Sequence, residues 1–142
     1  MRNASHLLEG KGGTIHAVAP QDSVLEAIRR MAAHGIGALL VMEGESLSGI
    51  VSERDYARKV ILKDRSSAGT KVAEIMSAPV VTVAPSTTLD ACMRTITEHR
   101  IRHLPVIEDG RVVGVLSIGD LVKAVIDEQA AEIGQLRQYI AG

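Results

Sequence analysis

Aromatic residues are nearly missing from this chain, which has two Tyr and neither Phe nor Trp. Proteins that bind single-stranded nucleic acid stack bases on aromatic rings, and nucleic-acid surfaces are strongly basic. With a formal net charge of −1 as well, no nucleic-acid partner is expected. Cysteine is limited to Cys92, so no internal disulfide can form, as is usual in a reducing compartment. Its neighbours place it on the buried side of a helix. No apolar run approaches the roughly 18 residues needed to cross a bilayer, so no membrane partner is expected. The opening residues, MRNASHLLEGKGG, lack the apolar stretch of a signal peptide. These absences together predict a cytoplasmic protein.

Catalytic signatures are missing too. The five His neither cluster at metal-ligand spacing nor have a Cys partner, which leaves no metal site. Gly10-Lys11-Gly12-Gly13 lacks the second half of a Walker loop, and no nucleophile elbow surrounds Ser52 or Ser117. No catalytic residue is assigned, and the chain is expected not to be an enzyme.

What the sequence does contain is aliphatic material and an internal repeat. Hydrophobic residues make up 46% of 142 positions and charged ones 23%, enough for a core and too apolar for disorder. Sliding the chain by 65 positions aligns residues 15–56 with 80–121 without a gap. Identities fall at Val18/Val83, Ala19/Ala84, Pro20/Pro85, His34/His99, Ile36/Ile101, Val41/Val106, Gly49/Gly114, Ser52/Ser117 and Asp55/Asp120. Upstream, Leu7-Leu8-Glu9 falls opposite Val72-Ala73-Glu74. A fold unit written twice is the natural reading.

Each copy predicts β-α-β-β-α. A short extended run (Ile15–Val18; Val80–Val83) stops at Ala-Pro, because proline fixes φ and lacks an N–H. Asp22-Ser23 or Thr87-Thr88 then offers an N-cap, and apolar residues recur at helical spacing: Val24, Ala27, Ile28, Met31 and Leu89, Cys92, Met93, Ile96. Two aliphatic runs follow in each copy, Ala38–Met42 with Leu47–Val51 and Leu104–Ile107 with Val112–Leu116. Glu43-Gly44-Glu45 or Glu108-Asp109-Gly110 separates them as a hairpin turn. Second helices run from Glu53 to about Leu62 and from Ile118 onward. The chain divides into units at 7–62 and 72–125, a polar connector at 63–71 and a helical tail at 126–142. In the tail, Ile126, Ile133, Leu136 and Ile140 suit packing on the module or on a second subunit.

The two copies share Gly-aliphatic-aliphatic-Ser-x-x-Asp, at 49–55 and 114–120, where the third strand becomes the second helix. A helix N-terminus has free N–H groups and a dipole that attract phosphate. An Asp one turn in, on the same side as the Ser, accepts hydrogen bonds from two adjacent hydroxyls such as the 2′-OH and 3′-OH of ribose. Ser-x-x-Asp is also close to a plain capping arrangement. The same motif twice at one offset favours a ligand.

These features resemble the CBS (cystathionine-β-synthase) domain family. Val-Ala-Pro, the Ile-Arg-His-Leu-Pro-Val run at 101–106 and the two Ser-x-x-Asp segments carry the resemblance, which extends from about Leu7 to Val125. It implies an α/β (α+β) fold of two pseudo-symmetric units packed sheet to sheet, a Bateman module, with a helical extension and two clefts. It further implies a regulatory sensor that binds adenosine-containing ligands, forms a disk-like homodimer and signals to a client protein. The ligands implied are AMP, ADP or ATP, and also NAD(H) or S-adenosylmethionine. By the same resemblance, the first cleft would join Ser52, Arg54 and Asp55 to Val81, Thr82, Arg102, His103 and Pro105. The second would join Ser117 and Asp120 to His16, Ala17, Gly37 and Ala38.

Charge distinguishes the copies. Arg102-His103 in one is Gly37-Ala38 in the other, and Arg54 corresponds to Gly119, so the first cleft is expected to be the cationic, phosphate-binding one. The second is left with Lys11 for an anion. Competing roles stand beside these assignments. Asp55 has Lys59 at the i,i+4 position, Arg54 and Arg58 suit a solvated helix face, and His103 suits core packing. His34 and His99 suit helix C-termini, and His6 suits a tail. A constitutive interaction scaffold with vestigial clefts is the alternative function.

Overall fold

The computed structural model describes residues 2–141. Among these are five α-helices and two small sheets: α1 (Ala4–Lys11), β1 (Ala17–Val18), α2 (Val24–His34), β2 (Ala38–Glu43), β3 (Ser46–Ser52), α3 (Glu53–Lys59), α4 (Leu89–His99), β4 (His103–Glu108), β5 (Arg111–Ser117) and α5 (Ile118–Ala141). The order within the three-stranded sheet is β1-β2-β3, β1 being parallel and β3 antiparallel to β2. Strands β4 and β5 form the second sheet, antiparallel, with Val83 bridging in parallel to Val106.

Both copies build their first helix by the same local rules. Ser23 Oγ accepts a hydrogen bond from the Glu26 N–H, and Thr88 Oγ1 accepts one from the Ala91 N–H, satisfying donors that the first turn leaves unpaired. The apolar stripe Val24, Ala27, Met31 is buried in α2, as is Leu89, Cys92, Ile96 in α4. Left-handed residues end both helices: Gly35 at φ 62° and Arg100 at φ 54°. In the second hairpin Asp109 and Gly110 both have positive φ, as a type I′ turn requires.

Three boundaries depart from the sequence expectation for visible reasons. The first extended run is a strand only at Ala17–Val18, and its counterpart is reduced to the single bridge at Val83. In the first copy the Leu40 N–H donates to the His16 carbonyl. Pro105 occupies the place of Leu40 in the repeat and has no N–H to donate. Helix α3 stops at Lys59 rather than near Leu62, because the chain turns there to bury Val60 completely and continues as a 3₁₀ turn over Ile61–Lys63. The third departure is at His6, which lies within α1 instead of a tail. Its Nδ1 accepts from the Asn3 N–H while Asn3 Oδ1 accepts from the His6 N–H, a reciprocal cap.

Two compact units emerge. One is Ile15–Val81; the other joins Thr14 and the residues before it to Thr82 and the residues after it. The division therefore crosses the repeat. Residues 72–77, upstream of the second copy, pack in the first unit, where Ile50 and Ser77 exchange backbone hydrogen bonds of 3.1 and 2.8 Å. Helix α1, upstream of the first copy, packs in the other unit, where Ala4 and Ser5 N–H groups donate to the carbonyls of Thr87 and Pro85.

The glycine of the shared motif explains itself here. A Cβ on Gly49 would lie 2.6 Å from Met76 Sδ and 3.0 Å from the Ser77 carbonyl oxygen, and one on Gly114 would lie 2.6 Å from Leu8 Cδ2. Each glycine makes room for the upstream segment that covers it.

The core of the first unit gathers Val18, Val24, Ala27, Met31, Leu39, Val41, Val51, Val60, Val72 and Ile75. The connector is anchored to that unit: Val24 and Leu25 N–H groups donate to the carbonyls of Thr70 and Ser67, and the Tyr56 hydroxyl meets Ser67 Oγ at 3.1 Å.

Candidate functional site

In the unit Ile15–Val81, strand β3 delivers Ser52 to the N-cap of α3, and Asp55 sits in the first turn. The Asp55 N–H donates to Ser52 Oγ at 3.2 Å, while Asp55 Oδ2 accepts from the Ser52 N–H at 2.9 Å and from its hydroxyl at 3.0 Å. Asp55 Oδ1 pairs with Lys59 Nζ at 3.1 Å. Both alternatives weighed for this motif, the capping box and the i,i+4 ion pair, are therefore realised, and together they hold the carboxylate in one orientation. The start of β2 lies alongside: Ala38 is in register with Ser52, and the Gly37 carbonyl accepts from the Glu53 N–H. Arg54 and Arg58 are exposed. Ala17 is in β1, and the His16 ring stacks on His34 with centroids 4.0 Å apart.

The other unit repeats the arrangement with more charge. The Ser117 N–H donates to Asp120 Oδ2 at 2.8 Å, and the Asp120 N–H donates to Ser117 Oγ at 3.2 Å. Lys11, at the end of α1, donates to the same Oδ2 and to the Val115 carbonyl, each at 2.7 Å. Burial opposes ionisation of Asp120, but the hydrogen bonds from Lys11 and Ser117 outweigh it and hold its carboxyl below the ordinary range. His103 opens β4 in register with Ser117, and the Arg102 carbonyl accepts from the Ile118 N–H. Burial pushes the His103 imidazole below its ordinary pKa, the charges of Lys11 and Arg102 push the same way, and Asp120 opposes them. A neutral His103 is the result near pH 7, leaving the Arg102 guanidinium as the charged member of the pair. Pro105 is buried within β4.

The structure thus brings the candidates together in two half-sites, one inside each unit: Gly37-Ala38 beside Ser52-Asp55, and Arg102-His103 beside Ser117, Asp120 and Lys11. Val81 closes the first unit, and Thr82 leads into the Val83 bridge of the second. Each cleft expected from sequence draws on residues of both units. Sequence reasoning missed that Lys11 is already paired with Asp120. The signal available was the Gly-rich stretch around Lys11, which marked an unusual helix end but not its destination. It also missed the covering of Gly49 and Gly114, for which the conserved spacing of the repeat was the only sign. No cluster of His, Cys, Asp or Glu fit to hold a metal ion is found among the described residues, nor is any helix long and apolar enough to cross a membrane.

Comparison with known proteins decides the family. The CBS domain model matches residues 14–62 and again 72–127. The chain belongs to the CBS domain family. It is similar to the Arabidopsis thaliana CBS domain-containing protein CBSX3, mitochondrial, at 44% identity over 85% of this chain and 61% of that protein, so it spans a little under two thirds of that relative. Among solved structures, a CBS domain protein from Burkholderia ambifaria MC40-6, provisionally described as a signal-transduction protein, superposes with a TM-score of 0.86 at 52% identity, covering 90% and 96% of the two chains. The CBS domain pair of protein MJ0100, solved in complex with 5-methylthioadenosine and S-adenosylmethionine, shares the fold at 22% identity with a TM-score of 0.80, covering 90% and 98%. This CBS pair is accordingly a doubled α/β module of that family.

Proposed function

We propose that this CBS pair is a non-catalytic sensor that binds an adenosine-containing nucleotide, AMP, ADP, ATP or NAD(H), in clefts drawing on both repeats, and that its occupancy is read by a client protein. The observation that carries this reading is the twice-built Ser-x-x-Asp helix start, in which the Ser N–H fixes a partly exposed carboxylate at the mouth of a strand–helix junction. A carboxylate so fixed costs little to orient toward two ribose hydroxyls, and the adjacent N–H groups and helix dipole favour phosphate. That the same fold holds two adenosine compounds in MJ0100 supports the ligand class. A homodimer and a reducing compartment such as the cytoplasm belong to the same reading, the latter because the single cysteine is a buried thiol.

For a ligand to act as a signal it must bind one arrangement of the protein more tightly than another. The first cleft, with Ser52, Arg54, Asp55, Val81, Thr82, Arg102, His103 and Pro105, is assigned the tighter site. The second, with Lys11, His16, Ala17, Gly37, Ala38, Ser117 and Asp120, is assigned the weaker one, since it has Gly37 where the first has Arg102 and its one cation, Lys11, is already paired with Asp120. Titration calorimetry of the purified protein with AMP, ATP, NADH and S-adenosylmethionine tests both statements. Asp55→Ala should abolish the tighter binding event and Asp120→Ala should cost less. Equal losses would refute the ranking, and the absence of heat and of any thermal shift at millimolar ligand would refute the sensor and leave the interaction scaffold.

A further inference from the structure

Helix α5 carries two apolar faces, and only one of them is used within the chain. Leu121 and Ala124 are buried, whereas Val122, Ile126, Ile133, Leu136 and Ile140 are 42–82% exposed. Every described residue from Gln129 onward is exposed, so the C-terminal half of the helix has no packing of its own. It also carries Gly134, which weakens a helix interior. A helical segment of this length is marginal in water without a partner.

The exposed residues follow a pattern. From Val122 the spacing runs four, three, four, three, four through Ile126, Gln129, Ile133, Leu136 and Ile140. This is the 3.5-residue period of a left-handed two-stranded coil rather than the 3.6 of a helix lying on a globular core. In heptad terms Ile126, Ile133 and Ile140 are a residues, and Val122, Gln129 and Leu136 are d residues. β-Branched side chains at a with Leu at d favour parallel dimers; all three a residues are Ile, and of the d residues Leu136 fits the rule. Glu132 then falls at g and Arg137 at the following e, the two positions that face each other across a parallel, in-register pair. Gln129 would meet its own copy at d, and a carboxamide both donates and accepts. The face is thus complementary in charge and hydrogen bonding to itself.

We infer that α5 joins two copies of this chain as a parallel two-stranded coiled coil over Val122–Ile140, with Glu132 of each copy paired to Arg137 of the other. This rests on the homodimer reading and assigns it a seam.

Sedimentation equilibrium on the full chain provides the test. The native chain should be a dimer at tens of micromolar, and Ile133→Lys with Leu136→Lys should make it monomeric with its fold intact by circular dichroism, since both side chains are exposed. Glu132→Arg and Arg137→Glu should each weaken association several-fold, and the two together should restore it to within about twofold. Gln129→Cys should form an interchain disulfide on mild oxidation while the native chain, whose Cys92 is buried, does not. A monomeric native chain would overturn both the seam and the homodimer. A dimer that survives the double lysine variant, or a charge swap without recovery, would overturn the seam alone.

Discussion

His103 is the residue whose chemistry differs most from its sequence expectation. It stands in the run that resembles a phosphate-binding segment, yet burial and the nearby Lys11 and Arg102 disfavour its protonation. The folded protein therefore holds a proton on His103 less readily than the unfolded chain. Between the two pKa values the unfolded chain binds more protons, so acid favours unfolding. The contribution is fully present above about pH 6.5 and is lost as pH falls through the folded value. Chemical denaturation at pH 7.5 and 5.5 should show the loss, and His103→Gln should reduce it. A second residue-scale prediction concerns the motif glycines. Gly49→Ala pushes a methyl group against the Ser77 backbone, which cannot rotate away, whereas Gly114→Ala meets only the flexible end of Leu8. Denaturant midpoints should show Gly49→Ala costing about 1–3 kcal/mol and Gly114→Ala clearly less.

Helix ends give the next prediction. Gly35 and Arg100 hold the same left-handed position after α2 and α4, and only glycine does so without a Cβ penalty. Arg100→Gly should raise stability by about 1 kcal/mol, measurable in the same denaturation experiment; no change would show that the arginine is compensated in place. The elements themselves were legible because their signals are local: caps at Ser23 and Thr88, helical spacing of Val24 through Met31, and Asp109-Gly110 at a turn. Where a boundary went astray, the cause lay outside the segment. Pro105 withholds a bond from a strand more than twenty residues upstream, and Val60 ends α3 by entering fully a core that Tyr56, one turn earlier, only borders.

For the molecule as a whole, the repeat revealed the number of units but not their composition. Segments 2–14 and 72–81 carry no pattern that names the strand they will cover, so the exchange between copies could not be read from spacing. The same holds for the candidate site. Ser52 with Asp55 and Ser117 with Asp120 were legible as three-residue motifs, whereas Lys11 reaches Asp120 across 109 positions and nothing in its neighbourhood announces the partner. That long reach has a bearing on the order of assembly. As the chain leaves the ribosome, every part of the unit Ile15–Val81 is present once Val81 has emerged, and it is free to fold at that moment. Helix α1 is made earlier but must wait for Thr87, Gly114, Val115 and Asp120. Helix α1 is synthesised ahead of that unit yet docks only after it, and its contacts with Thr87 and Asp120 are of the non-local kind that slows folding.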